Sequence, residues 1–117
     1  MIEQETNNII EPEKMRDLEQ NAARVSSILK AIGNDKRILL LCRIVEHGEM
    51  TAGSLVGVAG LSQSAMSQHL SKLRDEGIIT YRRDGQTLWY RLADQNIKEL
   101  IVTLHRLYCG TSKEFCN

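Results

Sequence analysis

Apolar residues recur through the first third of the chain at helical spacing. Met15, Leu18, Ala22, Val25, Leu29 and Ile32 stand 3, 4, 3, 4 and 3 residues apart, which predicts a helix with one narrow apolar seam. A seam that narrow is the pattern of a helix packed on a partner helix. Gly33 ends this helix, and Asn34 or Asp35 caps the next. Residues 36–46, KRILLLCRIVE, are apolar over much of their surface and predict a short core helix closed by His47-Gly48. Thr51 caps a third helix over about residues 52–58, stopped by Gly60. Ser62 caps a fourth, SQSAMSQHLSKLRDEG, which Gly77 ends; Ala65, Met66, Leu70 and Leu73 lie on one side and Gln63, Ser64, Ser67, Gln68, Ser71 and Lys72 mostly on the other. IITYRR and QTLWYRL read as strands, and the Asp84-Gly85 pair between them predicts a hairpin. Asp94 caps a last helix through Cys109, with Ile97, Leu100, Ile101, Leu104 and Leu107 or Tyr108 on its apolar side.

Four helices, a hairpin and a helix make a mainly α chain with a small β-hairpin wing, a winged helix-turn-helix. At 117 residues the chain supports one domain. Its expected bounds are a flexible acidic tail over 1–13, the domain over 14–110 and a C-terminal tail over 111–117. A domain this short gains from an interface, and the seams at residues 15–32 and 95–109 predict a homodimer. No apolar run approaches the ~20 residues of a membrane span, and MIEQETNNIIEPEK lacks the basic-then-apolar order of a signal peptide. The expectation is a cytoplasmic protein with no membrane partner.

The formal net charge is zero, but it is unevenly spread. Residues 1–20 hold six acids and two bases, a net of −4, so the remaining 97 residues carry +4. That balance permits a positive face for a polyanion without demanding one.

Double-stranded DNA is the expected partner because of the segment VAGLSQSAMSQHL. It sets a glycine between two short helices, then Leu61 to pin them together, then the capping Ser62. A recognition helix needs short polar side chains near its N-terminus, where base edges are within reach. Gln63, Ser64, Ser67 and Gln68 meet that need: glutamine pairs bidentately with adenine, and serine donates to or accepts from several bases. A merely solvated face would favour Glu and Lys, which form helices better than Ser. Thr51 and Lys72 complete the candidate contacts of the two helices. His69 either touches a phosphate or packs against the turn. Arg82, Arg83 and Gln86 near the hairpin tip are candidates for phosphate or minor-groove contact. One of Trp89 and Tyr90 packs on the core. No nucleophile elbow, phosphate loop or acid–base pair is present, so neither an enzyme nor a cofactor is expected.

The residues LSQSAMSQHLSKLRDEGII and YRRDGQTLWYRL resemble the DNA-binding core of the ArsR/SmtB family of arsenic- and metal-responsive repressors. The resemblance spans about residues 18–109 and implies homodimers joined through the first and last helices. It also implies places for a metal, and there this chain departs. Thr51-Ala52-Gly53-Ser54-Leu55 offers no thiol or imidazole where one family site has cysteines. Asp94-Gln95-Asn96 lacks the histidine of the other, and His105 has no following carboxylate at the needed spacing. No metal is expected at either, since zinc wants four Cys, His or carboxylate ligands.

LLLCRIVE and LHRLYCG resemble the family's thiol-sensing branch of biofilm-growth and sulfide-responsive repressors. That likeness implies that Cys42 and Cys109 become linked by an oxidant or a reactive sulfur species, and that the link alters operator affinity. On its own, Cys42 reads equally as a small core hydrophobe. Lys36, Arg43 and Arg106 lie near enough in sequence to favour a thiolate. Cys116 is either incidental or a third thiol, and Cys42, Cys109 and Cys116 together would suit a thiophilic metalloid such as As(III). Haemolysin-activator-like members relieve another repressor, so the sign of regulation stays open.

Overall fold

The structure, a computed structural model, describes residues 10–109; of the expected tails, residues 1–9 and 111–117, with Cys116, lie outside the described residues, while Pro12 and Glu13 belong to the first helix. Helix α1 (Pro12–Ile32) begins at a proline, which suits the first helical turn because it has no N–H to leave unpaired. Helix α2 (Asp35–His47) follows after a cap in which the Asn34 side chain accepts from the Arg37 backbone N–H. Strand β1 (Met50–Thr51) leads into the single turn of α3 (Ala52–Leu55), a 3₁₀ turn (Val58–Gly60) and α4 (Gln63–Asp75). Strands β2 (Ile79–Asp84) and β3 (Thr87–Leu92) form the wing, and α5 (Gln95–Cys109) closes the fold after Asp94 caps the Ile97 N–H.

Two elements differ from the sequence expectation. The third helix stops at Leu55 and not near 58, because Val56 and Gly57 are poor helix formers and leave the helical conformation. The wing gains a third strand: β1 pairs with β3 through Met50↔Tyr90 and Thr51↔Trp89, giving the antiparallel order β1-β3-β2. The hairpin loop is Gly85-Gln86, since Asp84 still pairs with Thr87. Only Gly85 of these two has a positive φ, the pattern of a type II′ turn and not of the type I′ turn suggested by Asp84-Gly85.

The core lies where α2, α4, α5 and the sheet base converge. Leu40, Leu41 and Ile44 of α2 meet Leu55, Met66, Leu73, Ile78, Ile79 and Ile101, all fully buried. Tyr90 packs against this cluster, and Trp89 does not. Met66, Leu70 and Leu73 recur at i, i+4 and i+7, so α4 seats one stripe on the core and turns the rest of its surface outward. Its C-terminus is fixed by a Schellman motif: Ile78 N–H donates to the Leu73 carbonyl and Gly77 N–H to the Arg74 carbonyl. Gly77 supplies the left-handed φ of +75°.

Helix α1 is buried only at Ala31 and Ile32. Over the rest of its length the seam faces outward, with Met15, Leu18 and Leu29 exposed and a shallow groove running past Leu18, Ala22, Val25 and Leu29. Val102, Leu107 and Tyr108 of α5 are likewise exposed.

Candidate DNA interface and thiol site

The polar face of α4 is built from its first residue. Ser62 Oγ accepts from the Ala65 N–H at 3.1 Å, which starts the helix and leaves Gln63 and Ser64 at its outer tip. Gln63, Ser64, Ser67 and Gln68 are all exposed, opposite Met66 and Leu70. Among the described residues none of the four side chains has a hydrogen-bond or ion-pair partner, so their donors and acceptors are available. Lys72 Nζ sits 3.4 Å from Glu76 Oε2, near the helix C-terminus. Thr51 is occupied as the α3 cap, accepting from Ser54 N–H at 3.1 Å and donating to Ser54 Oγ at 3.0 Å.

A set of cations lies behind this face, where the sequence does not place them. Lys36 Nζ donates to the Ala59 carbonyl at 3.1 Å, and Ala59 is the one non-glycine described residue at positive φ, +59°. Arg37 Nε donates to the Ala31 carbonyl at the end of α1, and Arg37 Nη1 lies 3.3 Å from His69 Nδ1. Arginine only donates, so Nδ1 accepts and the ring proton sits on Nε2. His69 is therefore half-buried and packed inward on Arg37, which is closer to the packing alternative than to the phosphate one. Arg24 of α1 donates to the Glu76 carbonyl at 3.1 Å, tying α1 to the base of α4. The sequence did hold a signal. Lys36 and Arg37 fall in the first turn of a helix, where the macrodipole disfavours cations, so their charges have work elsewhere.

In the wing, Arg82 is not at a free tip. Its guanidinium grips Glu49 bidentately, at 2.9 and 3.0 Å, and lies 5.4 Å from the centre of the Trp89 ring. The Arg82 hydrogen bond holds the Glu49 carboxyl below its ordinary range. Such a depression stabilises the fold at pH above the ordinary carboxylate range, and the contribution is lost as pH falls from that range through the lowered folded-state value. Arg83 and Gln86 are exposed, have no hydrogen-bond or ion-pair partner among the described residues, and form the available tip. Replacing Glu49 by Gln is expected to release Arg82, tighten binding to any duplex by about threefold and steepen the log–log salt dependence by about one unit. Anisotropy titrations across salt concentrations check this; an unchanged slope would mean that Arg82 stays off DNA.

The two described thiols lie on facing helices. Cys42 of α2 is 4% exposed and lines an apolar cavity of about 280 Å³ with Ile38, Ile101, Leu104, His105 and Tyr108. Cys109 directly follows Tyr108 and stands four residues past His105, on the same row of α5. Two of the cations expected to favour a thiolate have partners of their own. Lys36 is held by Ala59 and Arg43 contacts Glu46 at 3.2 Å, while desolvation pushes the Cys109 thiol up from its usual value. Alkylation of Cys109 by iodoacetamide is thus expected to accelerate with a midpoint above the ordinary thiol value of about 8.5. A midpoint below it, read by mass spectrometry across pH, would contradict this placement. Among the described residues no three His, Cys, Asp or Glu side chains cluster as a metal site.

Residues 34–81 match the family model of bacterial regulatory proteins of the arsR family. The transcriptional activator HlyU of Vibrio cholerae is 40% identical over 102 residues, 87% of this chain and 94% of that protein. Reduced HlyU from Vibrio cholerae superposes with a TM-score of 0.72 at 40% identity, covering 80% of this chain and 98% of the other. The transcriptional repressor BigR from Xylella fastidiosa superposes with a TM-score of 0.73 at 33% identity, covering 83% and 98%. The chain is thus similar to these regulators across the helices and the wing alike, and it belongs to the ArsR family of winged helix-turn-helix regulators.

Proposed function

We propose that this protein is a homodimeric transcriptional repressor, acting in the cytoplasm, that binds operator DNA through α4 and the wing. The observation that carries this reading is α4 itself. A capped helix is seated by Met66, Leu70 and Leu73 and presents four exposed polar side chains from its N-terminal turns. The similar protein BigR is a transcriptional repressor, and HlyU a transcriptional activator, so repression is the reading to test against activation. The dimer reading rests on α1: a helix of 21 residues with its apolar seam exposed needs a cover, and a second copy supplies a matching seam. No described helix is long and apolar enough to cross a membrane.

The inducer reading is that operator affinity depends on the chemical state of Cys42 and Cys109. Cys42 faces the last turns of α5 across an apolar cavity, and Cys109 ends that helix. An organic trisulfide, RSSSR, can oxidise the pair. One thiolate attacks a sulfur and the second closes the link, giving Cys–S–S–Cys with RSSH and RSH, or Cys–S–S–S–Cys with two RSH. Either link ties α2 to the end of α5 and so alters the dimer's presentation of two α4 helices, which must sit about one DNA turn apart. The existence of a reduced form as a described state of HlyU accords with redox chemistry in a similar protein. The metalloid reading needs Cys116, outside the described residues, and no described observation favours it.

The test of the DNA reading is a selection from random duplexes, followed by titration of the winning duplex against a scrambled one. Binding of the selected duplex about 10³-fold more tightly is expected. Equal affinity for both would remove α4 as a reader of sequence.

A further inference from the structure

We propose that Arg37 is a positioning residue for the DNA-reading helix, acting on it through His69, with Lys36 fixing the turn that enters it. The proposal rests on the reading of α4 as the DNA-reading helix.

One planar guanidinium joins three helices. Arg37 belongs to the first turn of α2, donates through Nε to the Ala31 carbonyl at the C-terminal end of α1, and donates through Nη1 to His69 Nδ1 on α4 at 3.3 Å. The Ala31 carbonyl is among those a helix end leaves without an intrahelical partner, so this contact caps α1 as well. The fork of the guanidinium is rigid, and its donors cannot be satisfied by sliding helices past one another. The apolar stripe of α4 gives no such direction, because hydrophobic contact is non-directional.

His69 is adjacent to Gln68 and two residues from Ser67, on the inward side of the same turn. Holding its ring fixes the rotation of α4 about its own axis, and with it the direction in which Ser67 and Gln68 point. Hydrogen bonds to base edges require that direction to be kept within roughly 10–20°. The adjacent cation fixes the other degree of freedom. Lys36 holds the carbonyl of Ala59, whose φ of +59° and ψ of +20° an alanine resists adopting. Lys36 and Arg37 thus secure the entry and the body of α4 from one turn of α2, itself capped by Asn34 on the Arg37 N–H.

The experiment compares His69→Ala, His69→Gln, Arg37→Ala, the double variant Arg37→Ala/His69→Ala and Gln68→Ala. Each is titrated against the selected operator and a scrambled duplex at one salt concentration, with thermal melting recorded. His69→Ala is expected to lose about tenfold on the operator, the scale of one weakened base contact, and less than about twofold on the scrambled duplex. His69→Gln keeps an acceptor for Arg37 and is expected to recover most of the loss. The double variant should bind the operator no worse than Arg37→Ala alone, since the two residues act as one unit. Equal losses on both duplexes would make His69 a phosphate contact and overturn the proposal. So would failure of His69→Gln to rescue, or His69→Ala binding the operator like wild type. If Arg37→Ala melts early, the His69 pair decides alone, because His69→Ala leaves the Ala31 contact in place. If Gln68→Ala also leaves the operator complex unchanged while His69→Ala weakens it, the reading of α4 has failed at that position and the positioning of α4 has not.

Discussion

Replacing Gln63 and Gln68 together by alanine is expected to remove most of the sequence discrimination while leaving non-specific binding nearly intact. Each bidentate glutamine–adenine contact carries about 1–3 kcal/mol of discrimination, so losing two costs the operator complex roughly a hundredfold or more. The affinity for scrambled DNA comes chiefly from phosphate contacts and should hardly move. Both side chains are exposed and have no hydrogen-bond or ion-pair partner among the described residues, so the variant is expected to keep its fold and its melting temperature. Parallel losses on both duplexes would instead show that α4 lies along the backbone and reads no bases.

The second large effect belongs to α1. Leu18 is 43% and Leu29 53% exposed, and both line the groove on the outer face of the helix. Aspartate at both positions buries two unpaired charges in any interface that covers this seam, a cost of several kcal/mol. The double variant is expected to sediment as a monomer at micromolar concentration. Its operator affinity should fall by about 10²-fold or more, because a monomer engages one half-site without the effective concentration that a dimer gives the second. Its helical content should hold, since neither side chain belongs to the buried core. A dimer that survives both aspartates would place the subunit contact elsewhere.

Much of this was legible before any coordinates. The α4 boundaries follow from Ser62, the 3.6-residue recurrence of Met66, Leu70 and Leu73, and Gly77. Those signals are local, and the structure places them where the sequence does. The features the sequence hid depend on pairing across distance. Strand β1 has two residues, too few for any alternation to show, and exists because β3 offers it a ladder. Arg82 looks like a tip cation until Glu49, 33 positions earlier, folds against it. His69 had two readings because its outcome rests on Arg37, 32 positions away. The short α3 was overestimated because Thr51 announces a start clearly, whereas Val56-Gly57 weakens a helix without forbidding it. Lys36, read as one of the cations that favour a thiolate, reaches instead to the Ala59 carbonyl, 23 positions away.

The proposed control of operator affinity by Cys42 and Cys109 is open to a single titration. The selected operator duplex carries a fluorophore, and anisotropy is followed as an organic trisulfide is added to the reduced protein and then reversed with dithiothreitol. Intact mass is read from the same samples. Wild type is expected to release DNA as a Cys42–Cys109 link forms, and to rebind it on reduction. Cys42→Ser and Cys109→Ser should each bind DNA and ignore the trisulfide, while Cys116→Ser responds as wild type does. Release of DNA by the Cys42→Ser/Cys109→Ser double variant on the same treatment would show that the response does not run through these two thiols.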